Sequence, residues 1–424
     1  MGEPVRLRVN NEIPAFRPGL VAALDVGSSK IACVIGRAEQ GHLRILGSAL
    51  RESAGIRSGT VTSLDLAEES IRDCVAAAEN HADARIQNVL LSVNCGQPVS
   101  VNSKAAMALE GALVTDEDLR LLLDDGRSRC KLDGYEVIYA APTTYVVDEA
   151  RGVRNPSGMF CQRIGVAMHA VAVKPSPLQN LKLAVERCHL NVAGTLFSAY
   201  ASGLATLSED EKQIGAVLLD MGGGCTSIAV FLEGHLVHAD MVAAGGFAVT
   251  SDIARGLAAP FSGAERVKTL FGAALGDLER SADLVAVPQM GEEGEETALR
   301  VPRSMLTRII QARLEDILEE VQKRLGASGF DAAAGRRVVL TGGASQLAGM
   351  RELVAGKLNK QVRIGRPRSF PGLAAANTGP DYATAMGLLM AGATMAPEAI
   401  NPELAVSTRP GGSWWTRLTG RWLE

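Results

Sequence analysis

The sequence is poor in aromatic side chains, nearly balanced in charge and without a long uninterrupted apolar run. Phe, Trp and Tyr make up 4% of its 424 residues, and the formal net charge is -4. Such a balance lacks the basic field that nucleic-acid binding requires, so no nucleic-acid partner is expected. Seven cysteines (Cys33, Cys74, Cys95, Cys130, Cys161, Cys188 and Cys225) lie tens of residues apart, odd in number and without a C-x-x-C pair. That spacing indicates neither a disulfide framework nor a zinc site and suits a reducing cytoplasm. The longest apolar stretch, Tyr382 to Ala396, is interrupted by Thr384 and Thr394. It is too short to span a bilayer comfortably and is expected to be a buried helix. Charges run throughout Met1 to Arg17 with no long apolar segment among them, which argues against a secretory signal.

What is present is a packed α/β composition: 47% apolar residues, 21% charged residues and 45 glycines, in a chain long enough for two or more domains. Two segments are near copies. Leu20 to Gly36 reads as a strand, a polar turn Asp25-Val26-Gly27-Ser28-Ser29-Lys30, and a second strand. Ala216 to Phe231 repeats this with Asp220-Met221-Gly222-Gly223-Gly224 at its turn. Two such hairpins predict a duplicated α/β core, one copy for each lobe. Between them, a helix beginning at Thr115 and strands at Tyr135 to Tyr139 and Tyr145 to Asp148 form a small inserted unit. Helical periodicity returns at Glu265 to Phe271 and Met305 to Leu325, separated by an acidic turn at Gly291 to Glu296. A third glycine turn, Thr341-Gly342-Gly343-Ala344-Ser345, follows the strand Val338 to Leu340.

A triphosphate requires backbone N–H groups at close range, hence small residues at the turn, and a carboxylate for hydrated Mg²⁺. Gly27, Ser28, Ser29 and Lys30 meet this need on one side, and Gly222, Gly223, Gly224 and Thr226 on the other. Asp25 and Asp220, at the strand ends, would share the cation, and Gly342 and Gly343 would let adenine approach the backbone. A lone D-x-G turn is a common hairpin connector. Three glycine turns in this order, each set after a strand, point instead to one nucleotide site binding ATP and Mg²⁺.

These turns resemble the two phosphate motifs and the adenosine motif of the superfamily joining actin, DnaK-type heat-shock chaperones and sugar kinases. Finer features, Asp133 to Val137, Asn155 to Met159, Gly245 to Ile253 and Ala264 to Gly272, resemble the FtsA family of bacterial cell-division proteins. The resemblance implies an actin-like fold: two lobes of duplicated ribonuclease-H-like fold with an inserted small α/β subdomain and a C-terminal amphipathic helix. It places subdomain 1A at 19–98, 176–208 and 381–396, and subdomain 1C at 99–175. Subdomain 2A falls at 209–247 and 335–380 and subdomain 2B at 248–334, with a linker at 397–413 and a membrane-targeting helix at 414–424. It also assigns Gly245, Gly246, Glu265, Lys268 and Ala344 to the nucleoside. From spacing alone, Glu265 and Lys268 read equally as a surface ion pair on one helix face. The resemblance further implies filaments of the chain itself, contact of subdomain 2B with the C-terminal peptide of the tubulin homologue FtsZ, later division proteins as partners, and a peripheral place on the cytoplasmic face of the inner membrane at the septum. Actin-type hydrolysis also uses a water-orienting glutamine. The segment Ser198 to Gly203, laid on the actin pattern, puts Gly194 at that position, so at most a slow ATPase is expected, with Asp220 as a weak water activator.

From Pro397 to Ser413 the chain is rich in Pro, Gly and Ser, and the segment after it, Trp414 to Glu424, holds all three tryptophans. On a helix, Trp414, Trp415, Leu418 and Trp422 form one stripe flanked by Arg417 and Arg421. The stripe would either pack on the protein's own surface or lie in a membrane interface; the linker and the choice of tryptophan favour an anionic membrane. Burial of four large side chains would yield about 10 kcal/mol gross, much of it lost to ordering, so one copy would bind reversibly. A small-molecule kinase of the same superfamily is the competing reading. A kinase has no use for a tethered tryptophan helix, and a DnaK-like chaperone would need a β-rich substrate domain after Ala396.

Overall fold

The computed structural model describes residues 19–39, 42–276, 282–291, 298–395 and 397–401. The expected terminal helix, with Trp414, Trp415, Leu418 and Trp422, lies outside the described residues, as do most of the acidic turn and linker.

The two hairpins each open a five-stranded sheet. In the first, Gly19–Val26 pairs antiparallel with Lys30–Glu39 and parallel with Asn88–Val93; His42–Glu52 and Asn191–Phe197 form the edges. In the second, Ala216–Met221 pairs antiparallel with Thr226–Leu232 and parallel with Arg337–Thr341, with His235–Val242 and Gln361–Ile364 at the edges. Order and sense are the same in both, which is the duplication anticipated from the hairpins. Every residue of Ala216–Met221 is buried, and burial on both faces is why this segment reads as a continuous apolar run rather than an alternating one. In each sheet the aspartate of the hairpin is the penultimate residue of the central strand, Asp25 opposite Ala32 and Asp220 opposite Ser227.

The inserted unit is a four-stranded antiparallel sheet in the order Val99–Leu113, Phe160–Val173, Glu136–Val147, Ala150–Val153. Helix Asp116–Arg129 lies against it, capped by Thr115 and Asp118, which exchange hydrogen bonds at its N-terminus. The two strands expected at Tyr135 and Tyr145 are one strand, Glu136–Val147. Its pairing shifts register beside Pro142, whose missing N–H is absorbed at that irregularity. Leu122, Ile164, Val166 and Met168 give the unit its own core. In the second lobe, helices Gly246–Gly256, Phe261–Phe271 and Arg303–Ser328 pack with the hairpin Leu284–Val287 and Leu299–Pro302.

Helix Ala383–Thr394 occupies the apolar stretch near the C-terminus and is buried almost throughout, as anticipated. It crosses helix Ser198–Thr206 so closely that a Cβ on Gly387 would stand 1.7 Å from the Ala201 carbonyl oxygen, so only glycine permits the crossing. The chain then forms a helical turn, Pro397–Ile400, where linker was expected, and Ile400 is buried against Gly194. No helix among the described residues is long and apolar enough to cross a membrane.

Candidate functional site

Because the two sheets share one topology, their hairpin turns fall at corresponding ends, and the lobes bring them face to face. A Cβ on Gly223 would come within 2.8 Å of the Ser29 side chain, and one on Gly224 within 2.3 Å of Ser28 Oγ. The third turn closes on the same point. Gly342 has φ +85°, and a Cβ there would stand 2.4 Å from Asp220 Oδ1. Asp25, Gly27, Ser28, Ser29 and Lys30 thus line one cleft with Asp220, Gly222, Gly223, Gly224, Gly342 and Gly343.

Both aspartates are buried and held by hydroxyls. Ser92 Oγ donates to Asp25 Oδ1 at 2.7 Å, and Ser202 and Thr384 donate to Asp220 Oδ2 at 2.5 and 3.0 Å. Desolvation pushes the Asp25 carboxyl up to about 6; Lys30 and Ser92 oppose the shift and Asp220 adds to it. Burial likewise pushes the Lys30 ammonium below the usual lysine range, against the pull of Asp381, Asp25 and Asp220. These two carboxylates are the residues that could hold a hydrated divalent cation. No cluster of three or more metal-ligating side chains occurs among the described residues.

The raised Asp25 value fixes a pH dependence. A carboxyl whose pKa rises on folding favours the fold while protonated, and this advantage is lost as pH rises from about 4, its unfolded value, through about 6. Above that range the buried charge costs on the order of 2–3 kcal/mol. Asp25→Asn, which still accepts the Ser92 hydrogen bond, is therefore expected to melt several degrees higher than wild type at pH 7.5 without nucleotide and equally at pH 4. Thermal melts at the two pH values check this; equal melting temperatures at pH 7.5 would contradict it.

A second cluster adjoins the cleft. Lys268 Nζ donates to Glu265 Oε2 at 2.7 Å, to Thr250 Oγ1 at 2.8 Å and to the Gly246 carbonyl at 3.1 Å. Gly246 N donates to the Gly222 carbonyl at 3.0 Å, and a Cβ on Gly246 would meet Ala344 at 3.6 Å. Glu265 and Lys268 therefore form more than a surface ion pair: they fasten helix Phe261–Phe271 to the first turn of helix Gly246–Gly256. A Cβ on Gly245 would strike the Gly222 carbonyl at 2.4 Å, which explains its glycine.

Two expected residues stand elsewhere. Thr226 is fully buried and donates to the Ala244 carbonyl at 2.9 Å, so its hydroxyl braces the second hairpin and does not line the cleft. Gly194 sits within the strand Asn191–Phe197, packed on Ile400 and Leu90. The strand runs on to Phe197 before helix Ser198–Thr206 begins, so Ser198 is the residue of this segment that reaches the cleft. Sequence reasoning missed Ser92, Ser202, Thr250 and Thr384 as second partners, and Asn94 and Asp381 in the lining. Hydroxyls and amides this common carry no spacing signal, although Ser202 does fall within the actin-like segment.

Residues 217–387 match the family of cell division protein FtsA, and residues 96–172 match the SHS2 domain inserted in FtsA. The chain is 38% identical to the cell division protein FtsA of Rhizobium meliloti over 97% of its own length and 96% of that protein. It is 32% identical to its Escherichia coli K12 counterpart over 96% and 97% of the two chains. Among solved structures it resembles the PilM–PilN type IV pilus biogenesis complex, with TM-score 0.61, 16% identity and coverage of 88% of this chain and 98% of that one. MreB5 of Spiroplasma citri bound to ADP gives TM-score 0.51 at 10% identity over 90% and 98%. The latter two likenesses concern the fold alone.

Proposed function

The chain belongs to the FtsA family of cell division proteins, and from that premise we propose that it binds ATP with Mg²⁺ between its lobes, polymerises on the cytoplasmic face of the inner membrane at the division septum, anchors FtsZ filaments there and recruits later division proteins. The observation that carries the nucleotide reading is the convergence of three glycine turns and two buried aspartates on one cleft. Gly27, Ser28, Ser29 and Lys30 face the phosphates from one lobe and Gly222, Gly223 and Gly224 from the other. Asp25 and Asp220 hold the hydrated cation, which neutralises phosphate charge when bound. Gly245, Gly246, Glu265, Lys268, Gly342, Gly343 and Ala344 shape the nucleoside side. An adenine nucleotide in a fold neighbour, MreB5, agrees with this reading. Calorimetry of the full chain with ATP, with and without Mg²⁺, tests it: saturable one-site binding strengthened by Mg²⁺ is expected, and none would remove the proposal.

Docking of the FtsZ peptide on residues 248–334 is supported by side chains left outside the cores there: Phe261, Leu270, Leu284, Met290 and Leu299 are exposed. Membrane attachment rests on the tryptophan stripe. Filament formation would multiply such anchors and make attachment firm through high effective concentration.

Turnover is expected to be slow, because Ser198 is too short to orient water against a γ-phosphate. Ser198→Gln supplies the missing amide and is expected to raise steady-state phosphate release about tenfold. A rate in the wild type equal to that of filament-forming actins, or a variant no faster than wild type, would show that another group orients the water.

A further inference from the structure

Residues 379–384 touch all three turns of the cleft. The Pro380 carbonyl accepts from Gly342 N and from Thr341 Oγ1, each at 3.2 Å. Thr384 Oγ1 donates to Asp220 at 3.0 Å. Lys30 Nζ donates to the Asp381 carbonyl oxygen, and the Asp381 carboxylate lies 3.9 Å from the same ammonium. Lys30 faces three carboxylates, of which Asp25 is bonded by Ser92 and Asp220 by Ser202 and Thr384. Lys30 and Asp381 are 21% and 24% exposed, so their attraction is only partly screened. The segment continues directly into helix Ala383–Thr394, which Gly387 seats on Ala201 and Gly392 seats on Leu90 and Val21.

On the reading of the cleft as a nucleotide site, we infer that Asp381 is an internal competitor of phosphate for Lys30, and that its displacement by an entering nucleotide loosens the first turn of helix Ala383–Thr394. A phosphate chain carries more negative charge than one carboxylate and accepts stronger charge-assisted hydrogen bonds, so it takes Lys30. Asp381 is then left beside a like charge and withdraws. Pro380 and Thr384, on either side of it, are tied to the third turn and to Asp220, so the withdrawal is felt at every motif of the site. The close glycine seats at Gly387 and Gly392 hold the rest of the helix in place, so the change is taken up at its start, over residues 380–385. Cleft occupancy thereby reaches the start of the helix that leads to the C-terminal segment.

Calorimetry of the full-length protein with Mg²⁺ and ATP tests the competition. Asp381→Asn is expected to bind about fivefold more tightly than wild type, and the gain is expected to vanish in the Lys30→Ala background. Amide exchange supplies the second arm: ATP should speed exchange over residues 380–385 in wild type, and Asp381→Asn should show the faster exchange without nucleotide. A folded Asp381→Asn that binds ATP no more tightly than wild type overturns the inference, and Asp381→Ser replaces it should the asparagine variant fail to fold. Wild type that binds no ATP at all would overturn the nucleotide reading itself, a different result from equal binding by the two proteins.

Discussion

Gly223→Asp is expected to reduce ATP affinity at least about 100-fold, a loss near 3 kcal/mol or more. Two physical effects add. A Cβ at this position would come within 2.8 Å of the Ser29 side chain, so the two phosphate turns can no longer hold their spacing. The carboxylate also places a like charge against the triphosphate in a cleft that already holds two buried aspartates. Gly276→Asp serves as the control, since a Cβ there meets nothing within 4 Å. Calorimetry on both variants, with melting curves to confirm folding, decides the matter. Equal affinities in the two folded variants would place the nucleotide elsewhere.

Trp422→Glu is expected to release the protein from anionic vesicles while leaving ATP binding intact. Losing the ring removes roughly 2–3 kcal/mol of apolar burial, and a carboxylate among lipid headgroups costs more. A single anchor worth about 10 kcal/mol gross, less its ordering cost, cannot absorb that loss. Thr416→Glu, which helical spacing would set away from the apolar stripe, is expected to have a much smaller effect. Vesicle flotation measures both. Should Trp422→Glu remain on vesicles while its melting temperature falls, the stripe packs on the protein's own body.

The lobes were legible because their signal is duplicated: two hairpins with the same D-x-G turn imply two sheets, and both form with the same strand order. The cleft was legible where backbone geometry demands glycine, as at Gly223, Gly224 and Gly342. It was opaque where ordinary hydroxyls complete it. Nothing in the spacing of Ser92, Ser202 and Thr384 marks them as partners of Asp25 and Asp220, because the contacts arise only when strands and helices distant in sequence are packed together. Asp381 is a similar case: its link to Lys30 spans nearly the whole chain. The water-orienting position went astray for a different reason. Similarity over Ser198 to Gly203 aligns Gly194 with the actin glutamine, yet Gly194 lies inside the strand Asn191–Phe197, and it is Ser198, just beyond that strand, that lines the cleft. Thr226 was misplaced because its position in the hairpin suits a phosphate contact in sequence, whereas its side chain points to the Ala244 carbonyl.

The most direct test of the whole account is co-sedimentation of the wild-type chain with anionic vesicles in the presence and absence of ATP, Mg²⁺ and FtsZ. The chain is expected to pellet with the vesicles, more of it with Mg²⁺ and ATP, and FtsZ is expected to pellet only when the chain is present. FtsZ left in the supernatant beside vesicle-bound chain, or a chain that ignores both lipid and nucleotide, would contradict it.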